Sequence, residues 1–489
     1  MSFSFVSGSR RLNLFTHVSK VRGEVSLDMS KLPTTSELRD ILKLALPLAF
    51  GQLGIITIGA IDNLMLGRLG ADALGAAGLA LSIYDIIETA GIGILFPTVV
   101  LASQAHGAGR LRTVPGIIRQ GLWIAGILSV PACAILWNLE ALLLVTGQVP
   151  ELARMAGDYM DYFLWTIFPA LAYSVFMLAF TVMGQAGAVA IIIWLAVGLN
   201  AVLNYALIFG NFGFPAMGMA GAGLTSVIVY ASIHTAIFTL LAFHRFFKSG
   251  TTFRRAWQPK WPILEQFLRL GWPKGLELLM VSGLFSVTSL LVGRFGIQAI
   301  AAHTIAFQVF LVVTLGSRAV AGAVTARMGK ASGRKDHTGA WRVLNSGLLL
   351  FFLFILPSMV LLKLFSPWVV MLFVGSGLQA QILLPIAAPV VVLSAFFLFV
   401  NGLRQVITHA SSGLADMRIP ALIATLAYWG IAFPVGVVFG FVMDGGVLGV
   451  WWGLIIGMSV AAVAQLARFR WVVRQSSSSA SLEHAGARR

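Results

Sequence analysis

Apolar runs of about 20 residues or more, broken by short polar or glycine-rich segments, recur along almost the whole chain. A run of that length crosses the hydrocarbon core as a helix, because a helix satisfies its own backbone hydrogen bonds where water is missing. The apolar–polar alternation of a membrane barrel is absent. The pattern predicts about twelve spans, near residues 40–66, 74–104, 116–138, 158–183, 187–209, 219–243, 264–292, 298–327, 342–363, 380–411, 418–441 and 446–468.

The pattern repeats. Around GRLG and HGAGR in the first pair of spans, Gly67-Arg68 aligns with Gly293-Arg294, and Gly109-Arg110 with Gly333-Arg334, at an offset near half the chain. Six crossings separate the two copies, so they share one orientation, and the fold class is an all-α integral membrane protein of two six-helix lobes related by a pseudo-two-fold axis along the membrane normal. The implied organisation is a tail over 1–38, a lobe over 39–243, a linker over 244–262, a lobe over 263–470 and a tail over 471–489. Pro47 and Pro273 stand near the starts of the first and seventh spans, where a lost ladder hydrogen bond can kink or locally unwind a helix.

Composition places the chain in a bilayer: 58% of its 489 residues are hydrophobic and only 11% charged. A formal charge of +16 suggests nucleic acid only if the basic residues form one patch. Instead, most of the 34 Lys and Arg fall in alternate loops and the two tails, which is the positive-inside pattern of a plasma-membrane protein with both termini cytoplasmic. The lone Cys133 excludes an intramolecular disulfide and a cysteine metal site. Residues 1–38 have no apolar core like that of a secretory signal, and Met29 is an alternative start.

Charge inside the spans is the chemical signal. Asp62, in GAIDNLML of the first span, is costly in hydrocarbon unless it faces protein or water and has a task. Asp85 and Glu88 on the second span, Arg318 on the eighth and Arg404 on the tenth are candidate cavity residues, either fixed inter-helix ion pairs or, for the acids, binding groups for cationic drugs, while Arg404 favours instead an anionic or zwitterionic substrate. His303 fits packing or capping better than proton relay.

The ordered series LALPLAFGQ, IDNLMLGRLGADALGAAGLA, ASQAHGAGR, LNYALIFGNFGFPAMGMAGAGLTS, LGWPKGLE, GIQAIAAHTIAFQ and SSGLADMRIP resembles the multidrug and toxic compound extrusion family, in its bacterial NorM-like branch. The resemblance covers roughly residues 40–470. It implies an antiporter exporting organic cations or other xenobiotics against protons or sodium ions. Asp62 matches the essential carboxylate of the amino-terminal lobe, and Asn200, Asn204 and Thr225 match polar residues placed around it. Asn200 and Asn204 lie one helical turn apart and face the same way. In the other lobe Val281 stands where the family has a glutamate, with Glu277 one turn away, and Asn401 stands where it has an aspartate. Losing that charge disfavours sodium, a hard cation that prefers anionic oxygen, and favours protons carried mainly by Asp62, with Glu277 second.

The expected coupling set is therefore Asp62, Asn200, Asn204, Thr225, Glu277 and Asn401, with no cofactor and no metal beyond the coupling ion. No GxxxxGK[ST] phosphate loop marks a primary pump, and the eight scattered His do not suit an enzyme's metal site. The expected partners are a small-molecule substrate and the lipid bilayer, with one chain as the working unit. A sodium-coupled drug antiporter and a flippase for lipid-linked oligosaccharide or lipid are the alternatives.

Overall fold

The computed structural model describes residues 31–243 and 258–486, among which there is no strand. Among the described residues, twelve helices are long and apolar enough to cross a bilayer: α1 Thr35–Leu69, α2 Ala71–Gly107, α3 Leu111–Trp137, α4 Pro150–Val182, α5 Ala186–Phe209, α6 Met219–Ala242, α7 Trp261–Gly293, α8 Ile297–Gly333, α9 His337–Leu364, α10 Ala380–Gly413, α11 Arg418–Val442 and α12 Gly446–Gln475. The helix of α12 runs on to Gly486, into the segment expected as a tail. Met29, most of the expected tail 1–38 and most of the linker 244–262 lie outside the described residues.

The spans agree with the apolar runs, and the ends differ where polarity is local. Thr34 caps α1, its Oγ1 accepting from the Glu37 N–H at 3.3 Å, so this helix begins in a polar first turn. Similarly, α4 starts at Pro150, because PELARMAGDYMDYF is amphipathic: Ala153, Ala156, Tyr159, Met160 and Phe163 are buried. On its other face Arg154 bridges Glu151 at 2.7 Å and Asp158 at 3.2 Å.

The halves pack alike. In the first, α1 lies on α5, α2 on α4, α4 on α6 and α5 on α6; in the second, α7 lies on α11, α8 on α10, α10 on α12 and α11 on α12. Contact between lobes is reciprocal, α1 with α8 and α7 with α2, while α2 and α8 meet at their carboxy-terminal ends. Turn geometry repeats as well, since Gly70 (φ 138°) links α1 to α2 and Gly296 (φ 102°) links α7 to α8, both in a region that side chains disfavour. The alignment of Gly109 with Gly333 needs a shift of two residues. Gly333 ends α8 as Gly107 ends α2, and the residue matching Gly109 in position and positive φ is Lys335.

The lobes touch near the end that holds the start of α1 and the end of α12. There Gly93 packs backbone to backbone on Gly275, Gly271 on Ile94, Gly107 on Lys330 and Gly333 on Gln104. No side chain is exposed from Gly91 to Gly107 on α2. Bonds across the seam reinforce it: Arg327 donates to both oxygens of Glu37 at 2.7 and 2.8 Å and lies 3.1 Å from Asp40, and Gln104 donates to the Gly413 carbonyl at 3.0 Å. Toward the other end α2 loses this cover, with Asp85 and Ile86 exposed and open space beside Gly75 and Gly78.

Pro47 and Pro273 lie inside continuous helices, so neither helix is locally unwound there. One missing N–H is a small loss in a helix whose neighbours hold it in place. Irregularity appears elsewhere, at Phe96–Pro97 in α2 and at two π-helical turns of α11, Tyr428–Ala432 and Val438–Val442.

Candidate functional site

Late in α1, Asp62 is half-buried, and its Oδ1 accepts hydrogen bonds from two amides of α5, Asn200 Nδ2 at 2.9 Å and Asn204 Nδ2 at 2.6 Å. The one-turn spacing of the asparagines presents both donors to the same oxygen, and Asn204 Nδ2 also lies 3.3 Å from Asn200 Oδ1. Among the described residues, Asp62 Oδ2 has no hydrogen-bond partner and no cation pairs with the carboxylate. Thr225 on α6 is fully buried, but its hydroxyl makes no bond to Asp62; Thr225 Oγ1 and Asn204 Oδ1 are buried polar atoms left without partners. Three of the four expected groups are thus in direct contact.

Two further carboxylates share this lobe's interior. Asp85 is exposed and Glu88 half-buried on one face of α2, close enough to repel one another, and neither has an ion-pair partner among the described residues. Four of the seven tyrosines surround the three acids. Tyr230 of α6 lies within electrostatic reach of Glu88, Asp62 and Asp85, Tyr159 of Asp62 and Asp85, Tyr84 of Glu88 and Asp85, and Tyr173 of Glu88. Sequence reasoning missed these tyrosines, which come from three helices far apart along the chain.

The second lobe is built differently. Glu277 on α7 is 3% exposed and both of its oxygens are occupied: Lys274 Nζ donates to Oε2 at 2.9 Å and Arg404 to Oε1 at 3.2 Å. Arg404 of α10 also donates to Asn401 Oδ1 at 3.3 Å and lies over the Tyr428 ring at 5.5 Å. Thr408 joins Arg404 to Gln465, which donates to the Pro420 carbonyl at 3.1 Å. Glu277 and Asn401, both expected in the coupling set, have their oxygens bonded in this conformation, Glu277 by Lys274 and Arg404 and Asn401 by Arg404. Arg404, expected in the substrate cavity, is 4% exposed and belongs to the same buried network. Lys274 was overlooked, although its spacing of three residues from Glu277 on a helix signals the pair. Its ammonium also lies 5.3 Å from the ring centroid of Phe96, across the lobe boundary.

His303 packs between Phe307 and Trp451, its Nε2 3.0 Å from Ser289 Oγ, as a core residue would. Arg318 stands apart, as the only exposed side chain from Val313 to Gly333 on α8. No group of three or more His, Cys, Asp or Glu suited to a metal ion occurs among the described residues.

The MatE family model matches residues 47–206 and again 273–438, the two matches opening at Pro47 and Pro273. A curated relative, "Probable multidrug resistance protein NorM" of Bradyrhizobium diazoefficiens, is 33% identical over 439 residues, covering 90% of this chain and 94% of its own. Among solved structures, "Outward-facing conformation of a multidrug resistance MATE family transporter of the MOP superfamily" aligns with a TM-score of 0.80 at 21% identity, over 90% of this chain and 96% of that one. "Crystal structure of MATE in the bent conformation" aligns with a TM-score of 0.81 at 20% identity, over 92% and 100%.

Proposed function

The chain belongs to the MatE family of multidrug and toxic compound extrusion transporters, and from that premise we propose that it is a secondary antiporter exporting organic cations and other small xenobiotics across the plasma membrane in exchange for protons. The observation that carries this reading is Asp62, an intramembrane carboxylate with one oxygen fixed by two amides and the other free to take a proton. Amide donors steady the anion without neutralising it, so its occupancy follows the side to which the cleft opens. The buried Thr225 hydroxyl and Asn204 carbonyl, unpaired in this conformation, are ready partners for the rearranged state.

With both termini cytoplasmic, the closed seam faces the cytoplasm and the cleft opens outward. An outward-open transporter takes up a proton at Asp62 as the drug leaves, and the neutral acid then permits closure, because an uncharged carboxyl is far cheaper to enclose. The proton departs once the seam opens inward. Protons are favoured over sodium because the second lobe holds no free carboxylate to share a hard cation. One chain contains every group in this cycle and is the working unit. The multidrug names of the relatives support drug export over the flippase.

Everted vesicles test this reading. Ethidium should accumulate when the lumen is acidified, should not accumulate under a sodium gradient with pH clamped, and should lose all gradient-driven uptake in Asp62→Asn. Equal uptake by the variant contradicts the proposal, and uptake driven by sodium alone transfers the coupling to that ion.

A further inference from the structure

A pocket of about 420 Å³ lies between the start of α9 and the end of α12, at the same end of the molecule as the closed seam, and the transport cycle makes no use of it. Its walls come from three places in the chain. Lys31, just before α1, forms the first, and is held there because its main-chain carbonyl accepts from Asn345 Nδ2 of α9 at 2.9 Å. His337, Thr338 and Trp341, in the first turns of α9, form the second. Arg470 and Arg474 form the third, one turn apart near the end of α12 and so on a common face. Val473 is buried beside them as an apolar floor, and Trp341 is set by packing edge-on against Phe469, with ring centroids 5.3 Å apart. The pocket therefore joins the segment leading into the first lobe to two helices of the second.

Its charge has one sign. Lys31, Arg470 and Arg474 bring three positive charges to it, and among the described residues no carboxylate lines it. Elsewhere at this end arginines are answered by acids, Arg327 by Glu37 and Asp40, and Arg468 by Asp416 at 2.8 Å. Arg470, two residues beyond Arg468, has no ion-pair partner among the described residues. Asp336, beside the pocket in sequence, is turned to its own helix, its Oδ1 accepting from the Gly339 N–H at 2.7 Å. The N–H groups of His337 and Thr338 keep no intrahelical partner, at the positive end of a helix of 28 residues. Two guanidiniums, an ammonium and a helix N-terminus around one cavity form a donor set for phosphate, whose oxygens accept from several directions at once. The level of the pocket names the source. Trp341 and the exposed Trp471 stand beside it, as indole rings do where hydrocarbon gives way to headgroups, and a basic pocket between helices there suits an anionic lipid. We propose that this pocket binds a phosphate group, supplied by the headgroup of an anionic phospholipid, with the glycerol backbone over the apolar floor at Val473.

The test needs neither gradient nor drug, so it stands or falls apart from the antiport reading. Delipidated full-length protein in a neutral detergent is titrated separately with phosphatidylglycerol, phosphatidylcholine and inorganic phosphate, and the bound species are counted by native mass spectrometry. Phosphatidylglycerol should fill one site about tenfold more tightly than phosphatidylcholine, and inorganic phosphate, which gains nothing from the apolar floor, should bind more weakly than either lipid. Arg470→Gln combined with Arg474→Gln should weaken phosphatidylglycerol about tenfold or more, the scale of two cations beside an anionic lipid, and leave phosphatidylcholine unchanged. Lysine at both positions should keep most of the affinity. Arg110→Gln combined with Arg112→Gln removes the same charge from the turn between α2 and α3 and should change nothing. Both pairs are exposed, so the core stays intact. Equal weakening by the two pairs marks diffuse surface charge and overturns the site, as does a pocket variant that binds phosphatidylglycerol like wild type or a wild type that does not distinguish the lipids. Inorganic phosphate bound as tightly as phosphatidylglycerol gives the pocket to a soluble anion and overturns the lipid assignment.

Discussion

One carboxylate oxygen with two amide donors is the chemical centre of the molecule, and each donor has a measurable share in it. A hydrogen bond to a charged group contributes about 1.5–3 kcal/mol. Asn204→Leu removes the shorter one, at 2.6 Å, and should slow proton-driven ethidium uptake by tenfold or more while the purified protein stays monodisperse. Glu277 makes a contrasting case, since Glu277→Gln leaves Lys274 and Arg404 buried without their counter-charge. Breaking such a network costs ~3–5 kcal/mol. The variant should show a clear fall in melting temperature in detergent, and Glu277→Gln combined with Lys274→Met should recover part of it. An unchanged melting temperature in the single variant removes the network from the account of stability. At this scale the sequence was readable where one helix carries the signal. Asp62 is conspicuous because it interrupts an apolar run, and the asparagines because they recur after one turn. Thr225 lies in the right lobe but bonds to nothing, since side-chain reach between helices is set by packing that spacing does not encode. The tyrosine ring around the acids was invisible for the same reason.

Among the helices, length and apolarity were legible and irregularity was not. The twelve spans followed the apolar runs closely, whereas the polar half of α4 required its amphipathic face to be recognised. The π-helical turns of α11 lie where Ala432 meets Gly457 and Phe439 meets Gly449 of α12, so close tertiary contact accompanies each of them. Pro47 and Pro273 show the reverse, because a residue that breaks isolated helices leaves α1 and α7 without an unwound turn. Close approach of α2 and α7 depends on Gly93, whose added side chain would run into the Gly275 backbone. Gly93→Leu should cost the closed seam ~1–3 kcal/mol and shift the population toward the opposite state. In a Cys133→Ala background, Ser103→Cys lies buried in the seam, and its maleimide labelling should then accelerate about tenfold. Unchanged labelling means the seam does not open there.

For the molecule as a whole, the repeat in the sequence foretold the architecture, and the reciprocal packing of α1 on α8 and α7 on α2 is its physical expression. What it did not foretell is that like-folded halves carry unlike chemistry, acids without an ion-pair partner among the described residues in one and a carboxylate held by two cations in the other. The conformation was also out of reach, because one sequence must fit both states and bears the mark of neither alone. The seam is held partly by Arg327, bonded to both Glu37 and Asp40 across the lobes. These partly buried, charge-assisted contacts contribute about 1–2 kcal/mol. Arg327→Ala should broaden the distance between spin labels at Arg112 and Arg334 toward longer values, and an unaltered distribution denies the latch any part in the equilibrium. The claim beneath all of this is that substrate and proton exchange through Asp62, and it can be read without imposing a pH gradient. Liposomes holding the protein, the pH dye pyranine and concentrated ethidium, with the membrane potential clamped by potassium and valinomycin, are diluted into ethidium-free buffer. The account predicts that ethidium leaving draws protons in and acidifies the lumen, and that Asp62→Asn abolishes this; ethidium efflux with no change of lumenal pH, or the same acidification in the variant, contradicts it.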